Sequence, residues 1–497
     1  MSPEVEISWE LLKIVSDTLD SYKIRAFIDA KKDILDAGIY DEQEYDTILF
    51  KMFDEENLKF SLYRFLKEKE ETDFSAIKEF SQNNSLEIKK AYALLGLLNA
   101  EKLISIEELF EQIPGEGEAP PKSLFKGIKI KILDVDISKV KTIYEPVKTI
   151  FHSEVCSGCG ICTGICPVDC ISVENGFGKV DEDKCIRCGL CYYVCPRTYL
   201  PVRTLNMTLD NASELKEYSN IGHFIEAYCA RTKVNAIAEV CQDGGISSTC
   251  IHYLFEKGLI DCSLGARMSS DPWKPDPLIL KSKEDIILTA GTKYVNNPNL
   301  SLLNDTYLKD KKIAVVGVPC QMQALLKSEI YNIGFPSVNN VKYRIGIFCM
   351  ESFPYDGLLK ICETLNVNVN DVKKTDINRG KFFIYTKSGE ELNLPIKEIS
   401  HLAREDCELC FDLTSESADI AVGSIGAPSG WNMVLIRTEK GKKLYEELIA
   451  SDLIESKDVA EVKPGLPMLK KIAGFKRNGC KKHINAKKEA TKRIPNY

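Results

Sequence analysis

No stretch of this 497-residue sequence approaches the roughly 20 consecutive apolar residues of a membrane-spanning helix, so no direct membrane insertion is expected. The opening MSPEVEISWELLKIV lacks the basic region and long apolar core of a secretory signal. A cytoplasmic protein is expected, peripheral at most to a membrane complex. No Walker A sequence occurs and the glycine pairs do not form G-x-G-x-x-G, which argues against P-loop and Rossmann nucleotide sites. No unit of solenoid length repeats. Basic charge is scarce at the start: residues 1–121 carry 27 Asp or Glu against 14 Lys or Arg, whereas the whole chain nets −8. That imbalance argues against a nucleic-acid platform.

What the chain has in quantity is cysteine, 19 in all. Without a sign of export, clustered cysteines read as metal ligands rather than disulfides. CSGCGICTGICP (Cys156, Cys159, Cys162, Cys166) and CIRCGLCYYVCP (Cys185, Cys188, Cys191, Cys195) both have the form C-x2-C-x2-C-x3-C-P. Three closely spaced thiolates wrap three corners of a cubane, and the fourth cysteine of each run ligates the other cluster. One [4Fe–4S] cluster is thus expected on Cys156, Cys159, Cys162 and Cys195, and another on Cys185, Cys188, Cys191 and Cys166. Zinc sites present two separated CxxC pairs instead. A fifth thiol in the first run, Cys170, is left over and reads as a packed free cysteine. Over about 50 residues the segment resembles bacterial two-[4Fe–4S] ferredoxins.

The expected fold class is multidomain α+β. Residues 1–113 read as an acidic helical docking domain, with apolar residues at helical spacing (Leu11, Ile14, Val15, Leu19, Ile24) and Ser85 placed to cap SLEIKKAYALLGLLNAEKLISIEELF. Residues 114–150 read as linker and extended segment, 151–204 as the ferredoxin domain, and 205–469 as a mixed α/β domain. Residues 470–497 read as a solvated basic tail, with ten Lys or Arg against one acid. Within the ferredoxin segment, ISVENGFGKVD predicts a hairpin about an Asn-Gly turn.

In the large domain, Gly244 and Gly245 precede an expected helix capped near Ser247 or Ser248, a disposition that suits a phosphate. Cys320 and Cys349 each end a short apolar strand, and Cys407 and Cys410 form a CxxC pair. Four cysteines suffice for a third cluster. Equally, Cys320 and Cys349 read as buried fillers and Cys407/Cys410 as a redox pair, and spacing leaves this open.

GGISS, AGTKY, GVPCQMQAL, GIFCMESF, INRGKF and CELCFDLTSESADIAVGSIGAPSGW stand in the order seen in the beta subunits of coenzyme F420-dependent hydrogenases and dehydrogenases, which residues 220–460 resemble. The resemblance implies that 205–469 is a flavin-binding domain holding FAD, with coenzyme F420 as substrate and a third [4Fe–4S] cluster on Cys320, Cys349, Cys407 and Cys410. It implies a redox complex or ferredoxin as partner. A flavin can take a hydride and release single electrons, so it belongs between a deazaflavin and clusters. Lys293 is the candidate catalytic cation. Ser247, Ser248 and Thr249 are candidates for flavin phosphate, Gly423, Gly426 and Gly430 for close approach to the ring, and Arg267 and Arg379 for the anionic coenzyme tail. The alternatives are a ferredoxin-driven flavin reductase of another substrate and a non-catalytic electron relay.

Overall fold

The computed structural model describes residues 22–69, 72–101, 103–113, 122–133, 147–199, 216–217, 220–331 and 335–495. Leu11 to Leu19 of the expected first helix lie outside them. The helical spacing that follows yields helices Tyr22–Asp29, Lys31–Asp36, Glu42–Lys67, Phe74–Asn83 and Ile88–Ala100. Asp41 and Glu44 form a reciprocal capping box at the longest of these. Two expectations fail here. Ser85 caps nothing: it sits in a left-handed turn, and the next helix starts at Ile88 behind Glu87. ISIEELFEQI is a strand, Ile104–Ile113, antiparallel to Lys122–Ile132. Its apolar and acidic residues suit a helix locally, and pairing with the second strand overrides that preference.

The core of this N-terminal unit is continuous with residues of the ferredoxin segment and of the helix Pro319–Tyr331. The Tyr331 hydroxyl donates to the Ala93 carbonyl (2.5 Å), and the Tyr40 hydroxyl to that of Ile165 (3.4 Å). Tyr193 bonds Glu56 directly. Lys59, wholly buried, bridges Glu56 (2.8 Å) and Glu101 (2.9 Å).

The ferredoxin segment contains the hairpin Ile171–Glu174/Phe177–Val180, with Asn175 and Gly176 both left-handed as the Asn-Gly turn predicts. It presses close against the following domain. A Cβ on Gly164 would stand 2.0 Å from the Leu300 carbonyl oxygen, so only glycine fits there.

The large domain is built on an eight-stranded sheet. In spatial order its strands are Ile454–Asp458, Glu226–Thr232, Asn432–Ile436, Ile420–Gly423, Val341–Ile347, Ile313–Gly317, Cys262–Met268 and Pro275–Leu280. The four from Ile420–Gly423 to Cys262–Met268 are mutually parallel, and the outer pairings are antiparallel. Parallel strands buried on both faces explain the apolar runs IAVVG and YRIGI. A three-stranded antiparallel sheet, Val372–Asn378, Lys381–Thr386 and Glu391–Pro395, stands beside it.

The expected basic tail is instead a 25-residue helix, Gly465–Glu489, that buries Leu469, Ala473, Lys476, Arg477 and Cys480. Lys487 reaches Glu154 (2.9 Å) and His483 reaches Glu408 (3.1 Å), which ties the helix to the ferredoxin segment and to the CxxC pair. A surplus of lysine hides a narrow apolar stripe when only composition is read. Among the described residues no helix is long and apolar enough to cross a membrane.

Candidate functional site

The two ferredoxin runs fold alike. Left-handed glycines, Gly160 and Gly189, turn the chain into one-turn helices, Ile161–Gly164 and Leu190–Val194, that carry Cys162 and Cys191. The thiols that press electrostatically on Cys162 are Cys159, Cys156, Cys191 and Cys195. Those that press on Cys191 are Cys188, Cys166, Cys185 and Cys195. Cys195 thus acts on the first run and Cys166 on the second, while Cys195 also acts on Cys191 within its own run. Six of the eight thiols are buried, while Cys185 and Cys191 are half-buried. Burial, then the neighbouring Cys195, pushes the Cys159 thiol up to about 12. Thiolates so enclosed need a positive centre among them, which an iron cluster provides. Among the described residues no three His, Cys, Asp or Glu side chains converge on a point fit for one ion. Sulfurs set to hold separate corners of a cubane do not converge in that way.

Cys170 lies against Cys166, with 3.5 Å between the sulfurs, and its backbone N–H donates to the Cys166 sulfur (3.4 Å). The backbone contact survives loss of the thiol. Cys170→Ala is accordingly expected to keep the wild-type iron content, measured on anaerobically purified protein. A loss of about four irons, one cubane's worth, would make Cys170 a ligand.

The other four cysteines come from three segments. Cys320 lies in the first turn of helix Pro319–Tyr331, and Cys349 follows strand Val341–Ile347. Cys407 is in the short helix Glu405–Glu408, with Cys410 just beyond. Cys410 acts on both Cys320 and Cys349, and Cys349 acts on Cys407. The structure thus brings all four together. After burial, the largest influence on Cys320 is Cys159 of the ferredoxin segment. The Lys476 ammonium, from the C-terminal helix, donates to the Cys349 carbonyl (2.5 Å). Nothing in the sequence marks Lys476, because composition reads the whole helix as tail.

The other expected site residues lie in loops near the ends of the parallel strands, where open α/β sheets gather ligands. Gly245, left-handed, begins helix Ile246–Glu256. The Ile246 N–H donates to the Asn432 side chain (3.2 Å), so the helix start offers the N–H groups of Ser247 and Ser248. Both serines are half-buried. Thr249 does not fit its expected role. It is wholly buried, and its hydroxyl is engaged by Thr232 (2.7 Å) and the Gly245 carbonyl (2.9 Å).

Gly244 packs against protein as well, since a Cβ there would stand 2.5 Å from the Asn432 nitrogen. Gly423 and Gly426 are likewise small for a different reason than expected. A Cβ on Gly423 would enter the Phe348 ring, and one on Gly426 would meet the Gly465 carbonyl at 2.6 Å. Open space lies beyond Gly430 alone of these three.

Lys293 is half-buried, and its ammonium donates to the carbonyls of Thr289 and Ala290 (2.9 Å each) and Gly291 (3.1 Å). Burial draws its pKa down to about 8. Around it, Gln242 donates to the Thr375 carbonyl (3.2 Å) and to Asp376 (3.1 Å), and the Ile377 N–H donates to the Tyr294 hydroxyl (3.0 Å). Gln242, Tyr294 and Asp376 come from three separate segments, so no local pattern marks them. Arg267 and Arg379 are both exposed, and Arg379 occupies the left-handed turn between two strands of the small sheet. INRGKF is thus first a turn sequence.

Residues 227–304 and 310–462 match the models for the coenzyme F420 hydrogenase/dehydrogenase beta subunit, N-term and C terminus respectively. Residues 148–196 match a 4Fe-4S dicluster domain. The chain is 36% identical over 343 residues to one of the subunits of the F(420)H(2) dehydrogenase of Methanosarcina mazei, across 68% of this chain and 94% of that one. It is 36% identical to the beta subunit of the coenzyme F420 hydrogenase of Methanosarcina barkeri, across 54% and 94%. Among solved structures, a chain of the xenon-derivatized F420-reducing [NiFe] hydrogenase complex from Methanosarcina barkeri aligns with a TM-score of 0.53 at 35% identity, over 56% of this chain and 97% of that chain.

Proposed function

The chain belongs to the family of coenzyme F420 hydrogenase/dehydrogenase beta subunits, and from that premise we propose an F420-dependent oxidoreductase component that exchanges hydride with coenzyme F420 and passes single electrons to or from a partner complex or ferredoxin. The observation that carries the reading is that Cys159 of the ferredoxin segment is, after burial, the strongest influence on Cys320, while Arg404, three residues before Cys407, donates to the Cys156 carbonyl (2.6 Å). It supports a path from the third cysteine group into the two ferredoxin groups. The third group is read as a [4Fe–4S] site on Cys320, Cys349, Cys407 and Cys410. The ferredoxin segment holds one cluster on Cys156, Cys159, Cys162 and Cys195, and the other on Cys166, Cys185, Cys188 and Cys191.

FAD bound in a cleft among these loops would supply the conversion between a two-electron hydride and single electrons. The residues suit it. Ser247 and Ser248 present N–H groups at the start of an 11-residue helix, where the helix dipole favours phosphate. Lys293 holds a proton at Nζ against three carbonyls and supplies a cation where negative charge collects on a reduced ring or a coenzyme tail. Gly430 leaves room for a ligand, whereas Gly244, Gly423 and Gly426 shape the cleft from behind.

With the Lys293 pKa drawn down to about 8, its charge is present below that pH and lost above it. F420H2 oxidation is expected to fall as pH rises through about 8, and Lys293→Met should be slower at about pH 7 and lack that limb. Identical pH profiles for the two proteins would remove Lys293 from the mechanism.

The test of the function itself is anaerobic purification, quantification of flavin and iron, then addition of reduced F420 while cluster absorbance is followed. Bound flavin, about twelve irons and bleaching of the clusters are expected. Flavin without F420 turnover would instead support a reductase of another substrate, and absence of flavin a relay subunit.

A further inference from the structure

Where the third cysteine group meets the ferredoxin segment, two buried arginines share one aspartate. Arg197 follows the Cys195-Pro196 corner and is 1% exposed, and its Nη2 lies 3.3 Å from Asp406 Oδ2. Arg404 is 3% exposed. Its Nε donates to Asp406 Oδ1 (2.9 Å), and its Nη2 donates to the Cys156 carbonyl (2.6 Å). Asp406 immediately precedes Cys407.

The thiols facing Arg197 are Cys410, Cys320 and Cys407, and Arg197 also acts on Cys195. Those facing Arg404 are Cys407 and Cys156. Arg197 stands two residues from Cys195 and pairs with the carboxylate next to Cys407. Arg404 pairs with the same carboxylate and donates to the Cys156 carbonyl, so each arginine adjoins both cysteine groups. Burial opposes both guanidinium charges, and the surrounding carboxylate and thiols more than restore them. Both guanidinium groups are thus fixed cations at the boundary between the two cysteine groups.

We propose that Arg197 and Arg404, held in place by Asp406, are positioning residues for electron transfer that raise the reduction potentials of the two clusters they separate. Those clusters are the one on Cys320, Cys349, Cys407 and Cys410 and the one on Cys156, Cys159, Cys162 and Cys195. The inference rests on the reading of these cysteines as [4Fe–4S] sites. A four-thiolate cubane is anionic and gains one negative charge on reduction, so a fixed cation favours the reduced form. Transfer between the Cys320 and Cys159 corners oxidises one cluster and reduces the other by one electron. It needs no proton and no further reactant. Shared cations stabilise the electron on either side.

Arg404 also packs on the Phe177 ring (4.7 Å), so it has a structural role that the test must separate. The experiment is an EPR-monitored redox titration of the anaerobically purified full chain, with iron counted. Arg197→Gln should lower the midpoints of both adjacent clusters, and Arg197→Lys should restore them toward wild type. Asp406→Asn, which removes the negative charge, should raise them. The cluster on Cys166, Cys185, Cys188 and Cys191, whose thiols neither arginine faces, should stay fixed. Simple loosening of the site cannot give shifts of opposite sign. If Arg197→Gln loses iron, the Asp406→Asn shift alone decides. Full iron content with unmoved midpoints, or shifts of the same sign in Arg197→Gln and Asp406→Asn, would overturn the inference alone. A wild-type protein without the third cluster's signal would overturn the underlying reading and the inference with it.

Discussion

Alanine at Cys410 is expected to remove about a third of the protein's iron and to stop reduction of the ferredoxin clusters by reduced F420, while bound flavin still bleaches. Cys410 is buried, 5% exposed, and is the thiol that acts on both Cys320 and Cys349. Its loss opens one corner of the third group and leaves the cleft residues, Ser247, Ser248 and Lys293, untouched. The two halves of the reaction then separate: hydride arrives and single electrons have no exit. Stopped-flow spectra of flavin and clusters, with EPR of the ferredoxin signals, read each half. Ferredoxin clusters reduced at the wild-type rate in Cys410→Ala would mean that electrons bypass the third group, and the proposed order of carriers would fail.

The second large effect lies far from the cleft. Lys59→Met is expected to destabilise the protein by about 3–5 kcal/mol, the usual consequence of stripping one partner from a buried ion pair. Lys59 is wholly buried between Glu56 and Glu101, and the carboxylates would remain without their cation. Glu56 in turn bonds Tyr193, two residues from Cys191 and two from Cys195. The loss should thus appear as a lower thermal midpoint together with faster loss of iron from the ferredoxin segment. A stability within about 1 kcal/mol of wild type, typical of exposed pairs, would refute this account of the interface. The same packing changes what truncation should do. Deleting residues 1–115 would expose Tyr193, Tyr331 and the Cys166 side of the ferredoxin segment, so the deletion is a test of folding before it is a test of docking.

Several features were legible because their causes are local. C-x2-C-x2-C-x3-C fixes three sulfurs within one loop, so the chemistry of Cys156 to Cys195 can be read without a fold. The Asn-Gly turn at Asn175 and Gly176 and the strands ending before Cys320 and Cys349 are of the same kind. Other expectations failed where the deciding neighbour is distant in sequence. ISIEELFEQI becomes a strand because Lys122–Ile132 pairs with it. Thr249 spends its hydroxyl on Thr232, and Gly423 is small because of Phe348. The basic C-terminus packs because one face of its helix finds a core, and Lys476 then reaches the Cys349 carbonyl.

The division follows from the range of the forces. Sequence alone carries the two cysteine motifs of a 4Fe-4S dicluster segment, the alternation of strands and helices in the large domain, and the resemblance that pointed to F420. The tertiary fold alone decides that Cys320 comes within electrostatic reach of Cys159, that Arg197 and Arg404 share Asp406 between two cysteine groups, and that the N-terminal helices form one core with the ferredoxin segment. Thiolate spacing within a loop is set by a few backbone angles. The placement of a buried charge depends on every element that excludes water from it, and those elements are scattered along the chain.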